Sequence, residues 1–147
     1  MIQRIQTIYL LLTTILLCFL FGIPYADINS DGQLYTFSIK GITQNGTLIE
    51  NGLSIAIFIA ILVILHFIVI FKYKKRLQQV RMLIFSIFLM LGLVGLFFFF
   101  VHYSFDNEEV SYKMAMVFPI VAIILDYLAI RAIGKDEALI RSIDRIR

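Results

Sequence analysis

The chain has 147 residues, 61% of them hydrophobic and only 16% charged, with a mean hydropathy of +0.92 and a net charge of +3. Globular chains carry roughly 25% charged residues; here four nearly charge-free stretches of about 20 residues, each able to cross a hydrocarbon core of ~30 Å, fill more than half the length and exclude a large soluble enzyme. The single cysteine, Cys18, excludes an intramolecular disulfide and thiol-relay chemistry, and basic residues that border apolar stretches leave no space for a nucleic-acid recognition fold.

The first apolar stretch, 5–23, follows Arg4. It exceeds the roughly 7 to 15 residue core of a secretory signal, and Pro24 stands where a cleavage site needs a small residue, so it is expected to remain as a span. Leu16 and Leu17 likewise spoil a lipoprotein reading of Cys18. Gln3, Thr7, Thr14 and Cys18 recur at helical spacing and form the expected seam of this helix.

Between Pro24 and Gly52 lies the one sizeable loop. Tyr35, Phe37 and Ile39 alternate with Leu34, Thr36 and Ser38, the two-residue period of a half-buried strand. Asn45 and Gly46 mark a tight turn, and Thr47 to Ile49 return as a second strand. A small hairpin capping the bundle is expected, as scaffold in preference to a ligand-binding or partner-binding cap. Asn45, Gly46 and Thr47 also match a glycosylation acceptor, a pattern that depends on the host.

The second stretch, 53–71, carries a small pair, Ala56 and Ala60, and His66 rotated by roughly 100° from that face. The loop after it holds Lys72, Lys74, Lys75, Arg76 and Arg81 and no acid, a cluster that attracts anionic head groups. In the third stretch, 82–101, the expected packing stripe is Arg81, Phe85, Phe88, Gly92, Gly95, Phe99 and His102. In the fourth, 114–133, it is Ala115, Pro119, Ala122, Asp126 and Ala129.

Asp126 is the one acid inside a span, and an intramembrane carboxylate costs at least ~2.5 kcal/mol at the bilayer centre. It stands five residues before Arg131, about 7.5 Å of helix rise. The expectation is an inward-facing structural ion pair with Arg81 or Arg4; a proton relay with His66 is the alternative. The tail, 135–147, reads as a basic amphipathic helix, with Asp136 and Glu137 first, Arg141, Arg145 and Arg147 later, and Glu137 spaced to pair with Arg141. Such a helix lies on a membrane surface or against another protein.

Runs of this length in lipid must close their own hydrogen bonds as helices. The expected class is therefore all-α: a single four-span domain, a four-helix transmembrane bundle with a hairpin cap in the first outer loop. Eleven of the 13 basic residues are Arg4, five in the central loop and five at the C-terminal end, which by the positive-inside rule puts both termini in the cytoplasm. His66 and His102 lie near opposite ends of their spans and cannot share a metal. Neither a phosphate loop nor a nucleophile elbow is present, so no catalytic residue, metal or cofactor is expected.

The start MIQRIQTIYLLL and the finish AIRAIGKDEALIRSIDRIR resemble the small inner-membrane proteins of Bacteroidota grouped as domain of unknown function 4293, over nearly the whole chain. The resemblance implies four spans, a bacterial inner membrane and no assigned activity; many members carry lysine where this chain has Gly134. The expected function is that of a non-catalytic accessory or assembly subunit, with membrane lipids and another integral membrane protein as partners and no nucleic acid. The basic residues Lys72, Lys74, Lys75, Arg76, Arg141, Arg145 and Arg147 are the candidate contacts. A small proton-linked transporter or channel using Asp126 is the alternative.

Overall fold

The computed structural model describes residues 3–30, 32–73, 75–104 and 109–144, with the side chains of 3, 4, 104 and 139–144 outside that description. Four helices lie among them: α1 (Gln3–Phe19), α2 (Leu53–Phe71), α3 (Arg76–Ser104) and α4 (Phe118–Asp144), the last entered through a 3₁₀ turn at Met114–Val117. Three of these segments are long and apolar enough to cross a membrane, Leu53–Phe71, Arg76–Tyr103 and Met114–Ala138; α1 is a shorter apolar helix. α1 packs on α2 and α4, and α3 packs on the same two, so the helices close a ring with α2 and α4 on one diagonal.

The all-α class does not hold. Five strands, β1 (Ala26–Ser30), β2 (Gln33–Ser38), β3 (Gly41–Gln44), β4 (Thr47–Asn51) and β5 (Glu109–Tyr112), form one antiparallel sheet in the order β4-β3-β2-β1-β5. The expected strand 34–39 corresponds to β2 and the expected return strand to β4, but β3 lies between them. Asn45 and Gly46, both at positive φ (48° and 84°), close β3 onto β4 as the two-residue hairpin their types favour. The departure from a hairpin comes from β1, β3 and β5. β5 belongs to the loop between α3 and α4 and pairs with β1, Ala26 against Tyr112 and Ile28 against Val110. A hairpin alone is marginal in water, whereas three or more strands with a packed apolar face stand independently.

Ala26, Ile28, Phe37 and Ile42 make the buried face of the sheet, and they join Leu17, Leu20, Ile55, Ile59, Met90, Leu93 and Phe97 in one core. Tyr25 is the pin between the layers. Its N–H donates to Phe37 O at 2.7 Å and its carbonyl accepts from Lys113 N at 2.8 Å. Its ring stacks on Phe97 at 4.6 Å and meets Phe37 edge-on at 5.2 Å. Its hydroxyl donates to Leu20 O at 2.7 Å, at the end of α1. Burial pushes the phenol up from its usual range.

Away from the sheet, at the basic end, a smaller core gathers Leu10, Val69, Leu83, Ala129 and Ile133. α4 runs unbroken through Gly134 into the tail, so the first turn of the tail extends the bundle.

Candidate functional site

The seam read from α4 is buried throughout: Ala115, Pro119, Ala122, Asp126 and Ala129 all face inward. The stripes expected on α1 and α3 do not. On α3 Arg81, Phe85, Phe88, Gly92, Gly95, Phe99 and His102 are exposed, and Gln79, Leu83, Ser86, Met90, Leu93 and Phe97 are buried. On α1 Thr7 and Cys18 point out while Gln6, Leu10, Thr13, Thr14 and Leu17 point in. The reason is geometric. Small residues draw two helices into close crossing, but a ring of four encloses an interior that must be filled to native density by large side chains.

The buried stripes bring Asp126, His66 and Ser86 to one level, each fully enclosed. His66 Nε2 lies 3.1 Å from Asp126 Oδ2 and 3.3 Å from Oδ1, joining the diagonal helices α2 and α4. Ser86 Oγ lies 2.6 Å from Asp126 Oδ2, so α3 contributes to the same carboxyl. The expected pairing of Asp126 with Arg81 is overturned: Arg81 is exposed, five residues and about 7.5 Å of rise from Ser86. Arg4, the other expected partner, has a side chain outside the described residues.

Hydrogen-bond bookkeeping limits the protonation of this layer. His66 Nδ1 lies 2.9 Å from Leu62 O; a carbonyl only accepts, so Nδ1 carries a hydrogen. The contact with Asp126 then needs one further hydrogen, carried either by Nε2 as imidazolium against carboxylate or by Asp126 as a carboxylic acid against neutral imidazole. Both forms hold two protons and are neutral as a pair. Losing one sets two acceptors face to face and leaves a buried group unsatisfied.

Apolar layers close this site on both sides. Toward the basic end lie Leu10, Val69, Leu83, Ala129 and Ile133, and toward the sheet Leu62, Met90, Leu93 and Ala122. Beyond the first of these layers comes a second polar group that the sequence reading missed. Gln6 Nε2 donates to Asp136 Oδ2 at 2.5 Å, and Gln79 Nε2 donates to Val69 O at 3.2 Å. Gln6, Gln79 and Ser86 were legible in principle, since Gln6, Leu10, Thr13 and Leu17 and likewise Gln79, Leu83, Ser86 and Met90 repeat at 4, 3 and 4, the spacing of a packing seam.

Of the basic candidates, Lys72 and Lys75 are exposed, and Arg76 meets Glu137 at 3.8 Å, tying the start of α3 to the tail. Lys74, Arg145 and Arg147 lie outside the described residues, as does the side chain of Arg141, so the expected pairing of Glu137 with Arg141 does too. Among the described residues no group of three His, Cys, Asp or Glu side chains is placed to hold a metal.

Comparison with curated proteins and with solved structures finds no match. A family model does match, over residues 2–146. By that match the chain belongs to the family described as Domain of unknown function (DUF4293).

Proposed function

We propose that this chain is a non-catalytic integral protein of a bacterial inner membrane, an accessory or assembly subunit of a larger membrane complex. Both termini and the basic loop face the cytoplasm in this reading, by the partition of Lys and Arg, and α1 serves as the fourth span. The observation that carries it is the closure of the Asp126, His66 and Ser86 layer: its polar atoms are spent on one another and on the helix carbonyls of Leu62 and Leu83, and apolar layers seal both sides. Groups so enclosed hold helices together and leave function to the outer surfaces. The sheet supports the same reading, because its edge strand β4 carries Leu48 and Ile49 at 55% and 54% exposure, and an apolar edge outside the bilayer fits a partner. Tagged protein drawn from native membranes in mild detergent should retain a defined partner in fixed ratio; recovery of the free chain alone would remove this reading.

The contact between His66 and Asp126 favours a second reading, proton-linked transport with these two as titrating groups. It requires water to breach the Leu10, Val69 and Leu83 layer during a cycle. Proton-coupled flux in vesicles that is lost in Asp126→Asn supports it, and flux unchanged by that substitution ends it.

A further inference from the structure

The basic end carries a feature that the accessory-subunit reading does not use. A groove of about 370 Å³ runs between α1 and α4, walled by Ile5, Tyr9 and Leu128 and flanked by Arg131 and Lys135, with Asp136 at its floor. Arg131 and Lys135 stand one turn apart on α4 and are exposed. Asp136 is 5% exposed, and while its Oδ2 accepts from Gln6, its Oδ1 is buried without a hydrogen-bond partner among the described residues. A buried carboxyl oxygen with no donor among the described residues is costly, so its place in this groove suits a ligand that brings a donor.

The groove thus presents three demands at once. Two cations one turn apart suit a phosphate. A buried acceptor beside them suits an N–H donor, and best a cationic one. An apolar wall at the end of the spans suits an acyl chain. A plain anionic lipid answers the cations but brings no charge for Asp136, and a choline headgroup carries a cation with no N–H to donate. A primary ammonium two carbons from a phosphate answers both.

We propose that the groove between α1 and α4 binds one phosphatidylethanolamine, its phosphate held by Arg131 and Lys135, its ammonium donating to Asp136 Oδ1, and an acyl chain lying along Ile5, Tyr9 and Leu128. This rests on the membrane-spanning reading above and is independent of the accessory-subunit reading.

The test is native mass spectrometry of the full chain released from mixed micelles holding equal amounts of phosphatidylethanolamine, phosphatidylglycerol and phosphatidylcholine. One phosphatidylethanolamine should be retained in preference to either competitor. Arg131→Gln and Lys135→Gln, on exposed side chains that leave the bundle intact, should each weaken retention about tenfold, the factor that loss of one charge-assisted contact of ~1.4 kcal/mol produces. Asp136→Asn should narrow the preference for phosphatidylethanolamine over phosphatidylcholine. Equal retention of the three lipids, a preference for phosphatidylglycerol, or displacement by soluble phosphoethanolamine at the concentration of the lipid would each overturn the proposal. Recovery of the chain in the aqueous fraction after alkaline carbonate extraction would remove the membrane reading and this site together; a membrane-embedded chain with no lipid preference removes the site alone.

Discussion

Tyr25 and Phe97 stack at 4.6 Å, and through that contact the sheet is fastened to α3. Tyr25 also feeds both neighbouring strands through its backbone and caps the end of α1 through its hydroxyl. One residue therefore ties three elements together.

Tyr25→Phe should cost about 1 kcal/mol, the net worth of one buried hydrogen bond. Tyr25→Ala should cost about 3–5 kcal/mol through the cavity it leaves. Thermal unfolding in a single detergent, followed by near-ultraviolet circular dichroism, reads both.

The same residue sets an alkaline limit. A phenol whose folded pKa is raised above its ordinary 10.0 gives stability that is complete below that pH and declines above it, because the unfolded tyrosine then holds fewer protons than the folded one. Wild type should lose stability relative to Tyr25→Phe as pH rises beyond 10. Parallel curves for the two chains across that window would mean that the Tyr25 phenol ionises at the same pH folded as unfolded, and that burial does not raise it.

His66 and Asp126 call for a double-substitution cycle. His66→Leu alone strands a buried acid and should destabilise by about 3 kcal/mol, with a similar loss for Asp126→Leu. The double substitution should recover a large share of the combined loss, since an apolar pair needs no proton bookkeeping. Additive losses in urea or dodecyl sulfate titrations would mean that the two groups are not coupled.

On α3 the inward and outward phenylalanines should separate cleanly. Phe97→Ala should cost about 3–5 kcal/mol, whereas Phe88→Ala, at 67% exposure, should shift detergent unfolding within about 0.5 kcal/mol. Equal effects would restore the stripe that includes Gly92 and Gly95 as the packing face.

Gly41 and Gly52 meet backbone to backbone where the sheet enters α2. Gly41 has φ +110°, and a Cβ there would sit 1.9 Å from Glu50 O; a Cβ on Gly52 would sit 2.4 Å from Gly41 N. Gly41→Ala should therefore cost at least the roughly 1–3 kcal/mol of an unfavourable backbone region, with the clash added. It should also open the β3 and β4 edge to limited proteolysis. Gly95→Ala, with open space around it, should be neutral or stabilising by up to about 1 kcal/mol.

The amino-acid sequence by itself determined the apolar segments, the α2 bounds of 53–71, the β2 strand, the Asn45 and Gly46 turn and the inward face of α4. Each is a local matter: hydropathy over about 20 residues, a period of two or of 3.6, or the backbone freedom of two residues. Only the tertiary structure decided that β5 crosses from another loop to complete a five-stranded sheet, because a four-residue strand has no recognisable period until its partner is in place. It also decided that Asp126 takes His66 and Ser86 and leaves Arg81 exposed. Which face of α1, α2 or α3 turns inward depends on filling the space enclosed by four helices, and in spans apolar all round hydropathy is nearly blind to that choice.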